Sequence, residues 1–111
     1  MSGYRQGELI EVNFSPSRGH EPLKTRPAVV VSADAHNAMS SLVCVCPITS
    51  LDNGYPLHVK LPKGSYAHGA ICVEQLRSVD LVARGAISSG EFLDEDTMDQ
   101  ILERVGAIFS I

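Results

Sequence analysis

Three polar clusters interrupt otherwise apolar stretches of this chain, and each holds side chains able to do chemistry. The first ends in Gly19-His20-Glu21-Pro22-Leu23-Lys24-Thr25-Arg26-Pro27 and runs straight into the β-branched stretch at Val29. Proline biases the residue before it toward extended backbone, so Arg26 is held at the entrance of a strand rather than at a loop tip. A guanidinium fixed there suits a bidentate grip on phosphate; its plainer use is a surface pair with Glu21. The second cluster, Pro47-Ile48-Thr49-Ser50, places two hydroxyls where an apolar run ends. They can donate to an anion or close a turn, the latter being the commoner use. The third, Gln75-Leu76-Arg77-Ser78-Val79-Asp80, alternates polar and apolar groups and reads as a half-buried strand edge.

Other chemistry finds little support. There is no phosphate-binding glycine loop, dinucleotide fingerprint, His-Glu-x-x-His or Gly-x-Ser-x-Gly. The four histidines sit at spacings that suit no metal site. His58, between Leu57 and Val59, is expected to face solvent, and His36 and His68 fall in polar loop stretches. His20, beside Glu21 and close to Arg26, is a candidate for proton transfer. Cys44, Cys46 and Cys72 lack the Cys-x₂-Cys knuckle of zinc sites and read as small hydrophobes in a reducing compartment. No metal and no cofactor is expected.

The elements that position these clusters follow from periodicity. Ile10, Val12 and Phe14 alternate along a strand from Glu8. Ser15-Pro16-Ser17-Arg18-Gly19-His20 is a projecting loop. Ala28–Val31 and Leu42–Ile48 are continuous apolar runs, as in strands buried on both faces. Between them, residues 32–39 fit one or two helical turns started by the Ser32 hydroxyl. Leu57–Leu61 fits a more exposed strand; Ala70–Val73 and a segment near Arg84–Ile87 add short ones. The period then changes: Met98, Ile101, Leu102, Val105, Ile108 and Phe109 form one stripe of a helix capped by Asp94. Five or six short strands and a packing helix predict a small, strongly curved antiparallel sheet or barrel.

The chain has 111 residues, enough for a single core, and we expect one domain over 1–111. No apolar run approaches the length needed to span a bilayer, Ala28–Val31 and Leu42–Ile48 included, and the amino terminus lacks a signal-peptide core; a cytoplasmic protein is expected. The net charge of −4 is unevenly spread: residues 1–90 carry +1 and residues 91–111 carry −5. The carboxyl-terminal acidity sits where a helix dipole favours anions, so the overall sign does not exclude a nucleic-acid partner.

Taken in order, Gly7-Glu8-Leu9-Ile10, Val12, Phe14, Pro16, Gly19-His20-Glu21, Arg26-Pro27-Ala28-Val29-Val30-Val31-Ser32, Pro47-Ile48-Thr49-Ser50, Gly54-Tyr55-Pro56 and Gln75-Leu76-Arg77-Ser78-Val79-Asp80 resemble the MazF/PemK family of toxins from type II toxin–antitoxin systems. The resemblance spans nearly the whole chain. It implies a mainly β, SH3-like, CcdB/PemK-like antiparallel barrel with a carboxyl-terminal helix, assembled as a homodimer. It implies a sequence-specific endoribonuclease that cuts single-stranded RNA without a metal, leaving 2′,3′-cyclic phosphate and 5′-hydroxyl ends, and so arrests growth. A MazE-like antitoxin would lay a flexible segment over the RNA site.

By the same resemblance, Arg26 and Thr49 form the catalytic pair and Glu21 supports them. Phe14, Arg18, His20, Lys24, Ser50, Gln75, Arg77 and Ser78 are the substrate-contacting candidates. Pro22 stands where relatives often carry glutamine, and Leu81-Val82 where they often carry Trp-Arg. With no tryptophan, base stacking falls to Phe14, Tyr55 or Tyr66. The related CcdB-type toxins, which bind and poison DNA gyrase, are the alternative; Arg26 together with Thr49 favours the nuclease.

Overall fold

Alternation along the strands sends successive side chains to opposite faces of one sheet, and here both faces of its centre are buried. The structure, a computed structural model, describes residues 3–14 and 25–110. The described residues form seven strands: β1 Glu8–Asn13, β2 Thr25–Val30, β3 Val43–Thr49, β4 His58–Lys60, β5 Ala70–Cys72, β6 Arg77–Val79 and β7 Ile87–Phe92. A short helix α1, Asp34–Met39, follows β2; a 3₁₀ turn, Val73–Gln75, follows β5; helix α2, Glu95–Ile108, ends the described chain. The pairing is antiparallel throughout in the order β4-β5-β3-β2-β1-β7, with β6 also on β3. The expected curved antiparallel sheet with a terminal helix is therefore present, and its hydrogen-bonded path runs from β4 to β7 without closing among the described residues.

Leu9, Val29, Val31, Cys46, Ile48, Val59, Ile71 and Val73 fill one face. Helix α2 closes that face with Met98 and Ile101, and Val105 packs beside them. Ile10, Val12, Ala28, Val30, Val43, Val45, Val79 and Leu81 fill the other, with Phe14 against them. The helical stripe read from the sequence is only partly used: Leu102, Ile108 and Phe109 stay exposed. The last strand begins at Ile87 rather than ending there.

The expected Ser32 cap is not made. Helix α1 starts after Ala33 without a side-chain cap, because the Ser32 hydroxyl is engaged elsewhere. It donates to Asn37 Oδ1 at 2.5 Å and accepts from the Cys44 N–H at 3.0 Å, tying the loop to β3.

Asp94 does cap α2. Its carboxylate accepts from the Thr97 hydroxyl at 2.6 Å and the Thr97 N–H at 3.1 Å, and these bonds hold its pKa below the usual carboxylate range. A depressed folded-state pKa contributes stability above the unfolded value and loses it as pH falls through the folded one. Replacing Asp94 by Ala is expected to lower Tm by a few degrees at pH 7. Thermal melts across pH should show that gap narrowing below about pH 4.

Candidate functional site

The β2–β3 register pairs Ala28 with Pro47 and Val29 with Cys46. Continued by two residues, it sets Arg26 opposite Thr49, and both belong to the face that carries Val30 and Val45 deeper in the sheet. The same face receives Cys72, at the end of β5, and His58, which β4 places directly opposite Cys72. One side of the sheet thus changes from a packed apolar cluster to a polar cleft within two residues along each strand. The cleft, about 410 Å³, is lined by Arg26, Thr49, Leu51, Asn53, Tyr55, His58, Cys72, Glu74 and Gln75. A second depression of about 300 Å³ opens on the other flank of Arg26, bordered by Thr49, Ser50 and His68. Arg26 stands between the two.

Arg26 Nη2 donates to the Ile48 carbonyl at 3.5 Å, and among the described residues no carboxylate comes within salt-bridge distance of it. Its side chain lines both depressions. Thr49 Oγ1 accepts from the Leu51 N–H at 3.2 Å and donates to the Leu51 carbonyl at 3.3 Å, a local turn that orients the hydroxyl. Gly69 makes this geometry possible. It sits at φ +115°, and a Cβ there would lie 1.9 Å from the Thr49 carbonyl oxygen and 2.9 Å from Ser50 Cα. Only a residue without a side chain lets the entry to β5 press against Thr49.

His58 corrects the expectation of a solvent-facing residue. Its side chain is only 8 % exposed, because the 51–57 loop and the 3₁₀ turn fold over β4 from both sides. Nδ1 lies 3.3 Å from Asp52 Oδ1 and Nε2 lies 3.0 Å from Glu74 Oε2. Asp52 Oδ1 also accepts from the Gly54 N–H at 3.0 Å; that bond first, and His58 second, keep the carboxyl below its ordinary pKa. Tyr55 stands edge-on to the imidazole with ring centroids 5.5 Å apart. Burial pushes the Cys72 thiol up and the Glu74 carboxylate adds to this, while Arg26 and the Thr49 N–H pull the other way. Cys46, deeper in the core, is pushed up to about 12 by burial. All three cysteines are free.

Of the residues singled out from the sequence, Arg26, Thr49 and Gln75 share the larger cleft and Ser50 the smaller one. Arg77 lies with its guanidinium 4.7 Å above the Phe14 ring, on the same face of the sheet but outside both depressions. Ser78 points to the opposite face, its Oγ 3.5 Å from Cys44 Sγ. Glu21, Arg18, His20, Lys24 and Pro22 lie outside the described residues. Among the aromatics, Tyr55 borders the cleft, whereas the Phe14 ring is covered by Arg77 and the Tyr66 hydroxyl donates to Glu11. Leu81, in place of an aromatic, is fully buried in the second cluster, and Val82 is exposed. Sequence reasoning missed His58, Cys72 and Glu74 as one group. The signal was in the strands: the two short runs at 57–61 and 70–73 needed only to be paired.

The family model described as PemK-like, MazF-like toxin of type II toxin-antitoxin system matches residues 5–109. The Endoribonuclease toxin MazF of Escherichia coli (strain K12) is 36% identical over 90 residues, covering 81% of this chain and 80% of the relative. The Endoribonuclease toxin ChpB of the same strain is 34% identical over 113 residues, covering 96% and 95%. A MazE–MazF crystal structure from Deinococcus radiodurans superposes with a TM-score of 0.86 at 31% identity, over 97% of this chain and 96% of that one.

A side chain at position 69 cannot coexist with the observed Thr49 carbonyl. Gly69→Ala is expected to destabilise the protein by more than about 1 kcal/mol in urea titration. Its amide spectrum should show shifts concentrated at Thr49, Ser50 and Ala70.

Proposed function

Since the chain belongs to the PemK-like, MazF-like toxin family of type II toxin–antitoxin systems, we propose that its Arg26–Thr49 cleft is the active site of a metal-independent endoribonuclease that cuts single-stranded RNA. The observation that carries this reading is the juxtaposition itself: a guanidinium with no carboxylate partner among the described residues and an oriented hydroxyl, set opposite each other at the mouth of a cleft.

Cleavage without a metal uses the substrate's own 2′-hydroxyl. Its oxygen attacks the adjacent phosphorus, the bond from phosphorus to O5′ breaks, and a 2′,3′-cyclic phosphate and a 5′-hydroxyl result. The 2′-hydroxyl proton must leave and a proton must reach O5′. Negative charge grows on the phosphate oxygens between these events. Arg26 clamps the two non-bridging oxygens, and Thr49 Oγ1 turns its proton from the Leu51 carbonyl toward one of them. Glu21, matched by the family resemblance, and His20, beside it in the sequence, are the candidates for the base. DNA lacks the nucleophile, and a duplex resists the in-line arrangement that an unpaired strand reaches. Tyr55 and Leu51, both exposed at the rim, offer a surface for an unstacked base. Gln75 supplies amide donors and acceptors beside it.

The partners follow from the same reading. The toxin is a homodimer, and a MazE-like antitoxin covers the cleft with a flexible acidic segment whose carboxylates take the place of phosphates on Arg26, Lys24 and Arg77. The MazE–MazF complexes of Deinococcus radiodurans support such a partner. No helix among the described residues is long and apolar enough to cross a membrane.

Incubation of the purified protein with a long single-stranded RNA in excess EDTA should give discrete fragments with 2′,3′-cyclic phosphate ends. Arg26→Ala should abolish them, and Thr49→Ala should slow cleavage by about 10²–10³. RNA left intact by folded protein, over several sequences, would overturn the reading. Excess single-stranded RNA should also weaken antitoxin binding in a competition titration; full independence of the two would separate the antitoxin surface from the cleft.

A further inference from the structure

We propose that His58, Cys72 and Glu74 form a binding site for a borderline-soft divalent cation such as Zn²⁺, built into the wall of the Arg26–Thr49 cleft. The three ligand atoms, His58 Nε2, Cys72 Sγ and a Glu74 carboxylate oxygen, all lie within 4.8 Å of one another. Tetrahedral coordination at bond lengths of about 2.0–2.3 Å needs ligand atoms roughly 3–4 Å apart. His58 Nε2 and Glu74 Oε2 already lie 3.0 Å apart. The donor set, one imidazole, one thiolate and one carboxylate, selects zinc-like ions over magnesium or calcium, which prefer all-oxygen shells.

Two independent features support a ligand-binding group over a chance cluster. His58 has the outer partner that metal-bound imidazoles have. Asp52 Oδ1 lies 3.3 Å from its Nδ1, placed to accept a proton there, and is itself fixed by the Gly54 N–H, so the ring is held with Nε2 toward Glu74. The ligands also come from a rigid frame. His58 and Cys72 are paired residues of β4 and β5, and Glu74 follows in the 3₁₀ turn. The site has three protein ligands and opens on the cleft, which leaves the fourth position to water.

Charge balances. When the ion binds, Cys72 releases its S–H proton to solvent as the sulfur–metal bond forms. In the bound state His58 Nε2 and the Glu74 carboxylate are unprotonated donors, and any proton on either passes to solvent as the bonds to the metal form. One thiolate and one carboxylate then neutralise the dication, so the nearby Arg26 guanidinium meets no net positive charge. An ion held there occupies the wall of the cleft in which the phosphate would sit, and bound Zn²⁺ blocks cleavage. That consequence rests on the ribonuclease reading; the site itself does not.

The test is a titration of the metal-free full chain with Co²⁺, a spectroscopic substitute for Zn²⁺. One equivalent should produce a near-ultraviolet sulfur-to-cobalt charge-transfer band, and Zn²⁺ should bleach it. Cys72→Ser should abolish the band, whereas Cys44→Ser should retain it. Glu74→Gln, at an exposed position that leaves the core intact, and Asp52→Asn should each weaken binding by about tenfold or more. No band with the folded wild-type chain, or a band that survives Cys72→Ser or is indifferent to Glu74→Gln, would overturn the site. Cleavage by the wild type that persists at saturating Zn²⁺ would overturn the inhibitory role. A metal-free protein that cuts no RNA would count against the ribonuclease reading alone, while the cobalt band still decides the site.

Discussion

Everything in the cleft depends on the register between β2 and β3. Alternation has a period of two, so a slip of one residue would send Arg26 to the helix-covered face while Thr49 stayed where it is. That register is held from both sides of the strands: Val29, Cys46 and Ile48 interlock under α2, and Ala28, Val30, Val43 and Val45 interlock on the other face. Apolar packing on two faces therefore specifies the position of a cation and a hydroxyl neither of which lies in the core. Gly69 completes the constraint from the third side by allowing β5 to sit directly on Thr49.

The long, strongly patterned parts of the fold were legible in the sequence. A run such as Ala28–Val31 has no polar residue to offer a surface, so its burial on both faces follows from composition. The 98–109 stripe identified a helix, but a stripe shows only which residues can be buried together. Met98, Ile101 and Val105 found the sheet; Leu102, Ile108 and Phe109 stay exposed. The Ser32 cap failed because a hydroxyl that suits a helix end suits a loop-to-strand tie equally well, and Asn37 and the Cys44 N–H compete for it.

The site was legible in residue types and much less in assembly. Arg26 and Thr49 stood out because each broke an apolar run at its end. His58 did not, since alternation in an isolated short strand says which residues share a face and nothing about what covers that face. Its surroundings are set by Asp52 in one loop and Glu74 in a turn after another strand, partners at separations of 6 and 16 residues. Ser78 shows the converse limit. It neighbours Arg77 in sequence, and the pleat alone sends it to the far side of the sheet, against Cys44.

The separation of the two faces also gives the molecule a polarity. Helix α2, with Asp94, Glu95, Asp96, Asp99 and Glu103 at or along it, packs on one side of the sheet, while Arg26 and Arg77 stand on the other. In the field of such a charge distribution a neutral solute arrives from any direction, but a polyanion experiences a torque. It is turned away from the helix before any atom touches, and the fraction of encounters that begin at the arginine-bearing side rises accordingly. Because this bias acts over about a Debye length, near 8 Å at physiological ionic strength, it fades as salt increases even when the contacts in the cleft are unchanged.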